Sequence, residues 1–256
     1  MVIEHWNQEK NKVIVLFSGY MFGSWTYKNL IPLLSDYHVI VFGGLGASTS
    51  YVDGKSHFST VEYIDKYLSS RLITNIILIG HSMGGFVAQL FAGRYPGKVI
   101  ALILVGTCCP IDFLKSHRSQ SSSLLKYLFQ LDIEGFFKMT TYSLFTERFL
   151  SSEENLSRLR SDFFSNMPIE KACVEQLLAT DELIEWMKHN KLVIASKTLV
   201  VIGGEDKVVL PEWSLELAGK IDYCDYEIIN DSGHFIMYED PNETYTAITS
   251  WLEGRA

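Results

Sequence analysis

The chain offers little that suits nucleic acid, a membrane or an oxidising compartment. Its formal net charge is -8, with 22 Lys and Arg against 30 Asp and Glu, and no basic run forms a local exception. That balance excludes a polyanion or an anionic membrane surface as the expected partner. No apolar run approaches the ~20 residues of a membrane span. The opening Met1-Val2-Ile3-Glu4-His5-Trp6 lacks the charged and apolar regions of a signal peptide, so a cytoplasmic protein is expected. Of four cysteines, Cys108, Cys109, Cys173 and Cys224, none forms a C-x-x-C pair. The expectation is reduced, buried thiols, with neither a disulfide framework nor a zinc site. No repeat, low-complexity tract or Pro-rich linker divides the chain.

What is present is an alternation. Apolar runs at Val13–Phe17, His38–Phe42, Ile76–Ile79 and Val99–Val105 read as strands. Between them, Trp25–Leu34, Thr60–Leu68 and Phe86–Tyr95 read as helices. Continuous apolar strands between amphipathic helices imply an α/β fold: a mostly parallel sheet covered on both faces. The alternation stops after Gly106. Residues 107–196 are rich in Phe, Leu and Ser, with helical spacing at Leu124–Phe137, Glu153–Phe164 and Ile169–Leu178, and a further turn or two at Asp181–His189. This stretch is expected to be an inserted helical cap on a core made of 1–106 and 197–256. Its aromatics could form the cap's own core, although some must face the main domain. Strands resume at Thr198–Ile202 and Asp225–Ile229, with helices at Pro211–Ile221 and Pro241–Leu252.

The chemistry is carried by Gly80-His81-Ser82-Met83-Gly84-Gly85. A strand, G-x-S-x-G and a helix are the setting of a nucleophile elbow, in which a serine is held exposed in a sharp turn. An activated serine needs a base within reach and an acid to orient that base. In open parallel sheets such groups lie just beyond the C-terminal ends of strands. Of seven histidines, only His234 follows a late strand directly, in Asn230-Asp231-Ser232-Gly233-His234; His81 neighbours the serine, where adjacent side chains diverge. The acid is expected to be Asp206, in Gly203-Gly204-Glu205-Asp206, with Asp112 as the alternative. Oxyanion stabilisation is expected from the backbone N–H groups of Met83 and Tyr20, each worth ~3 kcal/mol.

These pieces resemble the α/β-hydrolase family, in its small, capped, serine-dependent form, over essentially the whole chain. They are Ser18-Gly19-Tyr20 with Trp25, Gly44-Leu45-Gly46-Ala47-Ser48, the elbow, Gly203-Gly204-Glu205-Asp206 and Ser232-Gly233-His234. The resemblance implies a carboxylesterase acting through an acyl-enzyme on Ser82, with Asp206 and His234 completing the triad and no cofactor or metal. In length and cap position the chain is similar to esterases that cleave the methyl ester of pimeloyl-acyl carrier protein, so a small-molecule or carrier-bound ester with an apolar part is the expected substrate. Basic residues of the cap, such as Lys115, Arg118, Arg148 and Arg160, could meet an acidic carrier, but acids are interleaved with them. Two positions depart from the family: Ser18 stands where His is usual, and Val41 where Asp is usual. The short N-terminus implies fewer leading antiparallel strands. Thioesterase, lactonase and C–C bond hydrolase reactions use the same triad. A ligand receptor or signalling protein that keeps the fold is the alternative of another class.

Overall fold

The computed structural model describes residues 2–43, 56–117 and 121–254. A seven-stranded sheet runs in the order β1-β3-β2-β4-β5-β6-β7. The strands are β1 (Val2–Trp6), β2 (Val13–Phe17), β3 (His38–Gly43), β4 (Ile76–His81), β5 (Val99–Val105), β6 (Lys197–Gly203) and β7 (Cys224–Ile229). Only β1 is antiparallel, pairing β3 with Val2 opposite Gly43; the other pairs are parallel. The α/β fold expected from the alternation is the one observed.

Side chains on a strand alternate between faces, so each apolar run supplies two cores. Ile14, Leu16, Val39, Val41, Ile77, Ile79 and Ile103 face one side. There they meet helix α11 (Pro241–Leu252) through Ile248 and Trp251. Val15, Phe17, Ile40, Phe42, Leu78, Leu102 and Leu104 face the other. Those pack on α1 (His57–Ser70), α2 (Met83–Arg94) and α9 (Pro211–Ala218). Helix α2 is buried almost all round, from Met83 to Ala92, in keeping with its largely apolar sequence; its buried Gln89 donates to the Cys108 carbonyl at 3.0 Å.

Between β5 and β6 the described residues hold helices and no strand. These are α3 (Pro110–His117), α4 (Ser121–Gln130), α5 (Ile133–Leu144), α6 (Glu147–Leu150), α7 (Glu153–Ser165) and α8 (Glu170–Met187). Their rings pack on the sheet domain as well as on each other: Phe163 lies 5.8 Å from Phe22, and Phe145 stacks on Phe235 at 5.3 Å and 12°. A short α10 (Ile236–Glu239) completes the set. No helix among the described residues is long and apolar enough to cross a membrane.

Several elements differ from the sequence reading. Trp25–Leu34 is two 3₁₀ turns, Ser24–Tyr27 and Ile31–Leu34, not a helix; Pro32 removes a donor and blocks the helical turn before it. Leu124–Phe137 divides because Asp132 accepts the Gly135 N–H at 2.7 Å and starts a new helix, the usual preference of Asp at an N-cap. The two helical pieces expected over Ile169–His189 are one helix, α8. Thr180 donates back to the Gln176 carbonyl at 2.9 Å, and both are buried. Strand β1 carried no sequence signal of its own. A contact to β3 holds it, His5 Nδ1 lying 2.8 Å from His38 Nε2, and His5 Nε2 reaches Tyr67 Oη at 2.7 Å.

His57 gives the fold an acid limit. It is fully buried at the start of α1, with Nε2 3.0 Å from Thr180 Oγ1 on α8. Burial pushes its pKa down from 6.5 to about 4. The folded protein therefore keeps the ring neutral where the unfolded chain takes a proton. Its stability is present above pH 6.5 and is lost as pH falls towards 4, by up to about 3 kcal/mol. His5, His38 and His81 are shifted in the same direction. Urea midpoints of wild type should fall between pH 7.5 and pH 5 more steeply than those of His57→Gln; parallel slopes would refute the assignment.

Candidate active site

Ser82 sits between the end of β4 and the start of α2 with φ 53° and ψ -122°. A non-glycine residue held there stores roughly 1–3 kcal/mol, and such strain clusters at functional sites. The turn is fixed on three sides. Ser82 N–H donates to the Val105 carbonyl at 3.0 Å, and the Ser82 carbonyl accepts from Gly85 N–H at 2.8 Å and Thr107 Oγ1 at 2.7 Å. Gly84 is required by close approach: a Cβ there would lie 2.3 Å from the Phe17 carbonyl oxygen.

Asp206 follows β6, and His234 follows β7. Their side chains are 1% and 3% exposed, with His234 Nδ1 2.8 Å from Asp206 Oδ2. The other carboxylate oxygen of Asp206 accepts from Val208 N–H at 2.8 Å and Val209 N–H at 2.9 Å. An acceptor at Oδ2 places the imidazole proton on Nδ1 and leaves Nε2 free to take another. Asp112, the alternative acid, is instead paired with Lys220. Glu205 and Asp231 are exposed.

The loop after β2 lies against the elbow. A side-chain carbon on Gly19 would stand 3.1 Å from Ser82 Cβ. Tyr20 is half-buried, its hydroxyl has no hydrogen-bond partner among the described residues, and burial pushes the phenol's pKa up. The next residue, Met21, has φ 68°, and its N–H donates to Gln176 Oε1 of α8 at 3.1 Å. Met83 is the first residue of α2, where helical N–H groups have no carbonyl one turn earlier. The structure thus gathers Ser82, Asp206, His234, Tyr20 and Met83 around the C-terminal edge of the sheet. No hydrogen bond joins the Ser82 hydroxyl to His234 among the described residues; catalytic contacts of this kind often tighten only in the transition-state complex.

His81 belongs to this group, although divergence of neighbouring side chains argued against it. Its Nε2–H donates to the His234 carbonyl at 2.9 Å, and the two rings lie 4.8 Å apart. Burial, and then the nearness of His234, hold its pKa well below the usual value. It stays neutral beside His234 and supports that residue's backbone. Its only sequence signal was a histidine ending an otherwise apolar strand. Of the two departures, Ser18 is fully buried, its hydroxyl without a hydrogen-bond partner among the described residues, and Val41 is fully buried in β3. The Gly44–Ser48 motif lies outside the described residues.

A family model described as "alpha/beta hydrolase fold" matches residues 12–241. The chain is 24% identical to "Lipase 1" of Psychrobacter immobilis, over 94% of this chain and 78% of that protein. It is 26% identical to the 2-hydroxy-6-oxononadienedioate/2-hydroxy-6-oxononatrienedioate hydrolase of Paraburkholderia xenovorans, over 88% of this chain and 80% of that protein. The solved structure of MenH from S. aureus superposes with a TM-score of 0.78 at 25% identity, covering 99% of this chain and 98% of that one.

Proposed function

The chain belongs to the alpha/beta hydrolase fold family, and from that premise we propose that it is a serine hydrolase cleaving a carboxylic ester through an acyl-enzyme on Ser82. The observation that carries this reading is the strained backbone of Ser82 beside a buried His234–Asp206 pair. Ser82 Oγ attacks the carbonyl carbon while its proton passes to His234 Nε2. The oxyanion faces the N–H groups of Tyr20 and Met83. The leaving alkoxide takes the proton from His234 and departs as an alcohol. Water then gives a proton to His234, attacks the acyl carbon and releases the acid, and the proton returns to Ser82.

Residues 107–196 act as a cap in this reading, and the acyl group is apolar. Phe235 lies 5.8 Å from the His234 ring and continues into Phe22 and Phe145. Against a carrier-bound substrate stands the pairing of two of the cap cations, Arg148 with Asp240 and Arg160 with Glu134. A free ester is therefore favoured over an acyl-carrier methyl ester.

Labelling with a fluorophosphonate probe and turnover of p-nitrophenyl esters of increasing chain length test the proposal. Ser82 should be the labelled residue. kcat/KM should rise with acyl length by at most about fourfold per methylene, the worth of ~0.8 kcal/mol of burial. Including thioesters, lactones and vinylogous 1,5-diketones identifies the preferred bond. Labelling without turnover on any of them supports a ligand receptor, and no labelling removes Ser82 as nucleophile.

A further inference from the structure

Glu239 is a buried acid that the reaction sequence does not use. Its side chain has no exposure to solvent. One oxygen accepts the Thr146 hydroxyl proton, and the other accepts Gly233 N–H at 3.2 Å. The Thr146 N–H lies 3.3 and 3.4 Å from the two oxygens. Burial holds the carboxyl's pKa above the usual carboxylate range, and the bonds from Thr146 and Gly233 oppose that rise by favouring the charged form. Outside it, Arg148 Nη2 stands 3.9 Å from Glu239 and is bound to Asp240 and to the Asp231 carbonyl.

The three joined segments have different jobs. Thr146 caps α6 in the helical segment, its hydroxyl accepting Phe149 N–H. Gly233 immediately precedes His234. The same strip of helical segment also holds His234 directly, the Leu144 carbonyl accepting from His234 N–H at 2.9 Å and Phe235 N–H at 3.3 Å. The approach is so close that a Cβ on Gly233 would lie 2.9 Å from the Leu144 oxygen and 3.2 Å from Glu239 Oε2. His234 is thus presented by a loop whose backbone is bonded to residues 144–146, and Glu239 is the side chain that closes that attachment.

We propose that Glu239 is a positioning residue for the reaction: by joining Gly233 N–H to Thr146, it fixes the His234 loop to the helical segment and so sets His234 relative to Ser82 and Asp206. The proposal rests on the reading of His234 as the base. A buried carboxylate suits the task because it accepts from several donors at once, and charge-assisted bonds are about twice as strong as neutral ones. Its loss leaves buried N–H groups unpaired, which the loop relieves by moving outward. A displacement of about 1 Å in a catalytic group costs about 10²-fold in rate.

The test compares Glu239→Ala and Glu239→Gln with wild type for kcat, KM and the downfield proton resonance of the His234 Nδ1–H, assigned by its loss in Asp206→Asn. Glu239→Ala should lower kcat by about 10²-fold with KM changed less than about threefold, and should broaden or shift the resonance. Glu239→Gln should restore most of both, since its amide can donate to Thr146 Oγ1 while its carbonyl accepts Gly233 N–H. If Glu239→Ala does not fold, Glu239→Asp takes its place: one methylene shorter, it reaches Thr146 or Gly233 but not both, and kcat falls again. A kcat within threefold of wild type in the folded variant, with the resonance unmoved, overturns the proposal. The resonance also separates the two readings. Should wild type cleave no ester, a signal that still moves in the variant upholds the clamp while the esterase reading falls.

Discussion

Ser82→Ala should lower kcat on any ester the protein cleaves by about 10⁶, the loss seen when the nucleophile of a triad acting as a unit is removed. Among the described residues no neighbouring group can take its place. The Ser18 and Ser232 hydroxyls are fully buried. Thr107 spends its hydroxyl proton on the Ser82 carbonyl. Burial holds the Cys108 and Cys109 thiols above their usual pKa, so neither offers a thiolate. The fold should survive, because alanine at φ 53° is as strained as serine. Ser82→Gly gives the complementary result. Glycine tolerates that backbone, so this variant should be equally inactive yet more stable, by roughly 1–3 kcal/mol. Urea unfolding and ester turnover on both variants check the pair. Residual activity within 10²-fold of wild type would show that another residue attacks.

The parts legible in the sequence were those whose cause is local. A buried parallel strand must be apolar on both faces, so β2 to β6 announced themselves, and Gly84 followed from the close turn that Ser82 needs. Asp206 and His234 were found by a rule of position, the ends of β6 and β7, and the structure brings them to 2.8 Å. Parts defined by distant partners were not legible. Strand β1 exists because of β3, and α8 runs unbroken because Gln176 and Thr180 are used by Met21 and His57. His81 acts on a carbonyl 153 residues away, and Glu239 on Thr146, 93 residues away. Neither residue type nor spacing encodes such contacts; the apolar periodicity that reveals an element says nothing of which buried polar group it will satisfy.

Asp206→Asn should lower kcat by about 10⁴ while leaving KM and the fold nearly unchanged. The amide has two ways to sit. Its carbonyl can take the place of Oδ1, where it keeps the Val208 and Val209 N–H bonds. Its NH₂ then faces His234 Nδ1, where an acceptor stood 2.8 Å away. The opposite arrangement sets NH₂ against two N–H donors and loses two buried bonds to save one, so the first arrangement wins. It forces the imidazole proton from Nδ1 to Nε2, and the nitrogen that must accept the Ser82 proton is then already occupied. The geometry is retained and only the tautomer is wrong, which is why rate is lost and binding is not. Asp206→Ala separates this effect from loop support. It frees the tautomer but leaves Val208 and Val209 N–H without acceptors, so it should also lower the urea midpoint, whereas Asp206→Asn should not. Asp206→Asn turning over within tenfold of wild type would leave His234 oriented by some other group, and the backbone bond from His81 to the His234 carbonyl would then be the next contact to cut.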